Sequence, residues 1–148
     1  MNTIMIYMST HHQNTKKLVD AISEKYHIKT VPISEAHSID LNSYDMIGFA
    51  SGIAFGKFYE PLERFAKERL PYGKKVFFLY TCGKNNDKYT SSISDIAQNH
   101  ECEILGSYGC LGFDTYGPFK LIGGISKGHP TQAEIENAVT FFEKIISK

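Results

Sequence analysis

The chain has only three cysteines, Cys82, Cys102 and Cys110, an odd count with no Cys-x-x-Cys pair. That argues against both a disulfide framework and a structural zinc site, and free thiols in a reducing compartment are the simplest reading. There is no net charge, because sixteen Lys and Arg balance sixteen Asp and Glu. No global field steers the protein to nucleic acid or to an anionic lipid surface. No apolar run reaches ten residues, so none is long enough to cross a bilayer. The opening "MNTIMIYM" has neither a basic flank nor a small-residue cleavage site, and it reads as a first strand, not a signal peptide. A cytoplasmic location is the expectation. Tryptophan is absent. What is present is ordinary for a globular chain of 148 residues, with 42% apolar and 22% charged residues, and the length suits one domain spanning residues 1–148.

Hydrophobic patterning sets the elements. "TIMIYM", residues 3–8, is continuously apolar, as in a strand buried on both faces of a parallel sheet. Asn14 or Thr15 is expected to cap a helix carrying Leu18, Val19, Ile22 and Tyr26 on one face. A short strand, "IKTVPI", follows. The polar stretch after Ser34 has room for one helical turn with Ile39 and Leu41 turned inward. "MIGFA", residues 46–50, predicts a second buried strand. A helix is expected over Tyr59 to Arg69, with Pro61 in its first turn and Pro71 and Gly73 ending it. "KVFFLYTC", residues 75–82, is a third central strand. Ser92 or Ser94 starts a helix with Ile93, Ile96 and Ala97 inward, and residues 102–110 form the last strand. Thr131 and Glu134 make a capping box for a final helix, whose stripe is Ile135, Ala138, Val139, Phe142, Ile145 and Ile146. Strands alternating with helices and joined by right-handed crossovers give an α/β fold with helices on both faces of a parallel sheet.

Three polar loops follow the three most apolar strands, at residues 9–15, 51–58 and 81–90. In such sheets ligands bind beyond the carboxyl ends of the strands, where strand order reverses. The first loop, "STHHQNT", offers the hydroxyls of Ser9, Thr10 and Thr15 and the amide of Asn14 ahead of a helix. The unpaired N–H groups and the dipole there suit a phosphate, although an ordinary N-cap accounts for Asn and Thr equally well. The loop is not a Walker A sequence and lacks the dinucleotide fingerprint. No acidic pair follows the first strand, which argues against a phosphate-accepting receiver or a hydrolase on this fold.

These segments together resemble the flavodoxin family. "YMSTHHQNTKKLVDAI" is similar to its FMN phosphate loop and first helix. "GFASGIAFGKFYEPL" and "FFLYTCGKNNDKY" are similar to its second and third flavin-contacting loops. "GFDTYGPFKLIGGISKGHPTQAEIENAVTFF" resembles the tail of small flavodoxin-like FMN proteins of poorly defined reaction. The resemblance implies a flavodoxin-like three-layer sandwich with a five-stranded parallel sheet, and FMN as cofactor. It implies that Ser9, Thr10, His11, Gln13, Asn14 and Thr15 hold the phosphate. Ser51, Gly52, Ile53, Phe55, Gly56 and Lys57 would contact the flavin from the second loop, and Thr81, Cys82, Gly83 and Tyr89 from the third. His12 and Gln13 stand where this loop commonly has threonine and glycine, and a glutamine is expected to resist a backbone shape reserved for glycine. The tryptophan that stacks on the ring in many flavodoxins is missing. Phe55, Phe58 and Tyr59 are the candidate replacements, with Phe58 and Tyr59 fitting the helix core as well. Lys57 and Lys84 would add positive charge near the ring.

The implied function is an FMN-binding electron-transfer protein that works with a redox partner protein or a small-molecule acceptor, as a monomer or weak homodimer. Two alternatives stay open: a small FMN-dependent oxidoreductase acting on a quinone-like or other small acceptor, and a non-enzymatic module of this fold that has lost FMN. No catalytic triad or carboxylate pair is evident. Cys82 and Cys110 fall at the same edge, but the sequence does not place them within disulfide reach. The glycine-rich stretch to Pro130, with Phe113, Asp114, Tyr116, Phe119, Lys120, Leu121 and Ile122, reads as a lid, a partner surface or a packed excursion.

Overall fold

The computed structural model describes residues 1–10, 12–113 and 121–147. His11, Asp114, Tyr116, Phe119 and Lys120 lie outside the described residues, and so do the expectations attached to them.

The elements are β1 (Thr3–Met8), α1 (Asn14–Tyr26), β2 (Lys29–Pro32), β3 (Met46–Ala54), β4 (Lys57–Phe58), α2 (Glu60–Arg69), β5 (Lys75–Cys82), α3 (Ser91–Asn99), β6 (Glu103–Leu111) and α4 (Gln132–Ile146). Two short 3-10 turns, Ile33–Ser38 and Leu41–Ser43, fill the polar connection before β3 and turn Leu41 into the core. The main sheet runs β2-β1-β3-β5-β6, all parallel, and β4 pairs antiparallel with the end of β3. Strand order reverses between β1 and β3, which opens a crevice beyond their carboxyl ends.

Successive side chains on each strand face opposite layers. Ile4, Ile6, Ile47, Phe49, Val76 and Phe78 face Leu62, Phe65, Ile93 and Ile96 of α2 and α3. Met5, Met46, Ala50, Phe77 and Leu79 face Leu18, Val19, Ile22, Phe142 and Ile145 of α1 and α4. The result is a three-layer sandwich with the expected parallel five-strand core. Burying each large side chain contributes about 1.5–3 kcal/mol, so β1, β3 and β5 form a rigid platform under the crevice. Two glycines make room for neighbouring rings. A Cβ on Gly48 would lie 2.3 Å from the Phe77 ring, and one on Gly109 would lie 2.0 Å from the Tyr80 ring.

The largest local departures fall at the ends of elements. β3 extends to Ala54, four residues beyond the expected strand, and turns back through Phe55-Gly56 into β4. α1 is not capped by Asn14 or Thr15. Its N-cap is Gln13, in the left-handed region, and Asn14 and Thr15 are the first helical residues. Ser9 does the capping from a distance, its Oγ accepting the Lys16 N–H at 3.1 Å. α3 starts at Ser91, one residue before the nearer expected start. The capping box at Thr131 and Glu134 is present. Among the described residues no helix is long and apolar enough to cross a membrane.

Candidate functional site

Parts of the three polar loops meet at the carboxyl edge and form one hollow. It is lined by Ser9, Thr10, Asn14 and Thr15 from the first loop. Gly52, Ile53 and Ala54 come from the end of β3, Tyr59 from the N-cap of α2, and Thr81, Cys82 and Gly83 from the end of β5. Gly112 and Phe113, just past β6, close the fourth side.

The first loop owes its shape to backbone that few side chains favour. His12 and Gln13 have φ of 56° and 55°, in the left-handed region that costs an L-residue about 1–2 kcal/mol. The expectation that a glutamine resists this shape is therefore corrected: Gln13 adopts it with its side chain in solvent. His12 gains a partner, its ring stacking on Phe113 at 4.4 Å. Asn14 is buried, and its Nδ2 donates to the Phe113 carbonyl at 2.8 Å. That bond needs Gly112, where a Cβ would lie 2.7 Å from the Asn14 amide. It also fixes the amide so that the buried Oδ1 has no hydrogen-bond partner among the described residues. The Thr15 and Thr81 hydroxyls share a buried hydrogen bond of 2.8 Å. One of them donates to the other, so one hydroxyl hydrogen of the pair is left for something else. The N–H groups of Asn14 and Thr15 have no partner within α1. The first turn of α1 carries no acidic residue; Lys16 pairs with Asp20 at 2.8 Å, so the helix dipole is the main positive field there.

The second loop splits. Gly52, Ile53 and Ala54 face the hollow. Ser51 is fully buried beneath it and holds the hairpin, donating to the Gly52 carbonyl and accepting the Tyr59 N–H. Phe55 and Gly56 form the hairpin tip, with φ of 56° and 77° and Phe55 92% exposed. Lys57 turns away: its Nζ stands 3.9 Å from Glu63, in a groove between α2 and α3. Phe58 is fully buried, packing on Phe78 and Tyr80 from β4, so it is a core residue in a strand and not in a helix. Tyr59 reaches into the hollow, where its hydroxyl accepts from Thr10 at 3.1 Å and lies over Gly52.

The third loop splits too. Thr81, Cys82 and Gly83 line the hollow. Tyr89 folds onto its own loop, its hydroxyl donating to the Lys84 carbonyl and its ring set edge-on to Tyr80. Ser126 ties the excursion before α4 to this loop through the Gly83 carbonyl at 2.7 Å. Cys82 and Cys110 are both buried, and Cys82 Sγ donates to the Cys110 carbonyl. Burial pushes the Cys110 thiol up to about 12, with Glu134 as a further cause, so at neutral pH it is an un-ionised filler, not a nucleophile. Among the described residues no group of His, Cys, Asp and Glu is placed to hold a metal.

Ala54 and Gly112 line the hollow without having been singled out in the sequence, and so does Phe113, expected only in the glycine-rich excursion. The signal for the last two was available, since the rule that placed the other loops applies equally to the end of β6.

An α/β sandwich with a hydroxyl-lined crevice at the switch point defines the class: a doubly wound fold with its ligand site at the carboxyl edge. Comparison narrows it. Residues 5–105 match the family model described as the flavodoxin domain. An uncharacterized protein of Methanocaldococcus jannaschii is 33% identical over 148 residues, covering 99% of both chains. Among solved structures, a flavodoxin from the domain Archaea superposes with a TM-score of 0.66 at 17% identity, covering 99% of each chain. A flavodoxin mutant from Fusobacterium nucleatum bound to flavin mononucleotide gives 0.66 at 15% identity, covering 99% of this chain and 96% of that one. The chain belongs to the flavodoxin family.

Proposed function

We propose that this protein binds FMN in the crevice and transfers electrons between a redox partner protein and an acceptor. The observation that carries the reading is the meeting of the hydroxyl-rich turn at the N-terminus of α1 with the small residues ending β3 and β5. The donor set fits a phosphate. Ser9, Thr10 and one of the Thr15–Thr81 pair supply hydroxyls, and α1 supplies N–H groups and its dipole. The buried Asn14 Oδ1 needs a donor, and the ribityl chain of FMN carries hydroxyl donors of that kind. Gly52 and Gly83 let a flat ring approach the backbone. FMN, when bound, supplies the redox chemistry; the chain's residues bind it, orient it and exclude water.

The same geometry sets a condition. The hollow measures about 140 Å³, below the roughly 300 Å³ at which small-molecule pockets begin. The Tyr59–Thr10 hydrogen bond crosses it. A phosphate that takes the Thr10 hydroxyl as donor would replace its bond to Tyr59. A module of this fold that no longer takes FMN is the second reading, and the narrow hollow favours it.

A titration separates the two. Purified protein is mixed with FMN and the flavin fluorescence and visible spectrum are followed. Saturable quenching with a shifted flavin band supports the FMN reading. A colourless protein that leaves FMN fluorescence unchanged supports the second.

A further inference from the structure

A buried carboxylate lies outside the hollow and takes no part in the reading above. Glu63 stands on α2 one turn after Tyr59, whose carbonyl accepts the Glu63 N–H at 3.1 Å. The residue is 5% exposed and sits among the core-facing positions Leu62, Phe65 and Ala66. Its Oε1 accepts the Ser92 hydroxyl at 2.7 Å, and Lys57 Nζ stands 3.9 Å from the same oxygen. Its Oε2 is buried with no partner among the described residues.

A carboxylate in that position costs stability. Desolvation is severe, and an apolar side chain at a buried charged position is often as stable or more so. What the carboxylate does that an apolar residue cannot is join separated segments. Ser92 belongs to the first turn of α3, directly after the third loop. Lys57 opens β4, directly after the hairpin tip of the second loop. The turn that carries Glu63 begins at Tyr59, which reaches Thr10 in the first loop. One side chain thus fastens the far ends of the second and third loops, whose near ends line the hollow, and it anchors the turn that aims Tyr59 at the first loop.

We propose that Glu63 is a positioning residue for the crevice: through Ser92 and Lys57 it holds the second and third loops at a fixed spacing and sets the pose of Tyr59. Its effect on FMN rests on the reading given under Proposed function. Its effect on the loops does not.

The test compares Glu63→Leu with Glu63→Gln by residue-resolved amide exchange. The Tyr59 N–H, bonded to Ser51 Oγ, reports the crevice, and the Phe78 N–H in the central strand reports global opening. In Glu63→Leu the Tyr59 amide exchanges about tenfold faster relative to Phe78, the loss expected for a hydrogen bond to a charged group. Glu63→Gln, which keeps an oxygen for Ser92 but loses the charge facing Lys57, falls between Glu63→Leu and the parent, and FMN dissociation constants follow the same order. If Glu63→Leu does not fold, Ser92→Ala removes the same hydrogen bond and is held to the same tenfold rise. Equal change at Tyr59 and Phe78 in these variants overturns the proposal. A parent protein that binds no FMN overturns the FMN reading instead and leaves the exchange comparison to decide on Glu63.

Discussion

Thr10 donates a hydrogen bond to the Tyr59 hydroxyl at 3.1 Å, joining the loop after β1 to the N-cap of α2 across the mouth of the hollow. Both side chains line the hollow, so the bond engages a hydroxyl that the proposed ligand would use. A neutral hydrogen bond of this kind is worth about 0.5–1.5 kcal/mol net. Removing it with Tyr59→Phe frees the Thr10 hydroxyl to donate to a ligand. FMN affinity in Tyr59→Phe is expected to rise by about twofold to tenfold, read by fluorescence quenching. Weaker binding would mean the hydroxyl itself contacts the ligand.

Gln13 carries a left-handed backbone with φ 55° at the N-cap of α1. Glycine takes that shape without steric cost, and a β-branched residue takes it worst. Gln13→Gly is expected to leave stability unchanged or raise it by up to about 1 kcal/mol, and Gln13→Val to lower it by about 1–2 kcal/mol. Urea denaturation of the two variants checks this, and equal effects would show that the turn opens at low cost.

Gly48 sits opposite Phe77 in the register of β3 and β5, and a Cβ there would lie 2.3 Å from a fully buried ring. The ring is held by Phe141 and Phe142 of α4 and has nowhere to go. Gly48→Ala is expected to cost about 1–3 kcal/mol by overpacking, measured as a lower midpoint of thermal or urea unfolding. An unchanged midpoint would mean α4 moves aside readily.

Glu134 closes the capping box of α4, accepting from the Thr131 N–H and from His129 Nδ1. Burial alone would raise its carboxyl, but the Thr131 N–H and the His129 ring outweigh burial and hold it below the usual 4.5. A lowered carboxyl contributes stability that is complete above its unfolded value and is lost as pH falls through its folded value. The gap in melting temperature between the parent and Glu134→Gln is therefore expected to be widest near neutrality and to close on acidification below pH 4.5. A gap that stays constant into acid would show that the charge is not what stabilises the cap.

The order of elements was legible because hydrophobic periodicity is a local property. The short apolar runs at residues 3–8, 46–50 and 75–82 fitted interior strands, and Thr131 with Glu134 marked the start of α4. What was not legible depends on where backbone turns. Phe55-Gly56 has no Asn-Gly or Asp-Gly signature, so the hairpin that extends β3 and swings Lys57 away from the crevice gave no sign of itself. Gln13 and His12 take a conformation that sequence assigns to glycine, where Ser9 of the same loop and Phe113, distant in the chain, support the turn. The burial of Glu63 has no local signature, since the Ser92 hydroxyl that donates to it lies 29 residues further on.

The account turns on a phosphate seated at the N-terminus of α1 beneath a flat ring, and the difference between FMN and riboflavin isolates it. Dissociation constants for the two are measured side by side by flavin fluorescence quenching. Binding of FMN at least about tenfold tighter than riboflavin is expected, from two or more charge-assisted hydrogen bonds and the helix dipole. Equal affinities, or no quenching by either, would contradict the assignment.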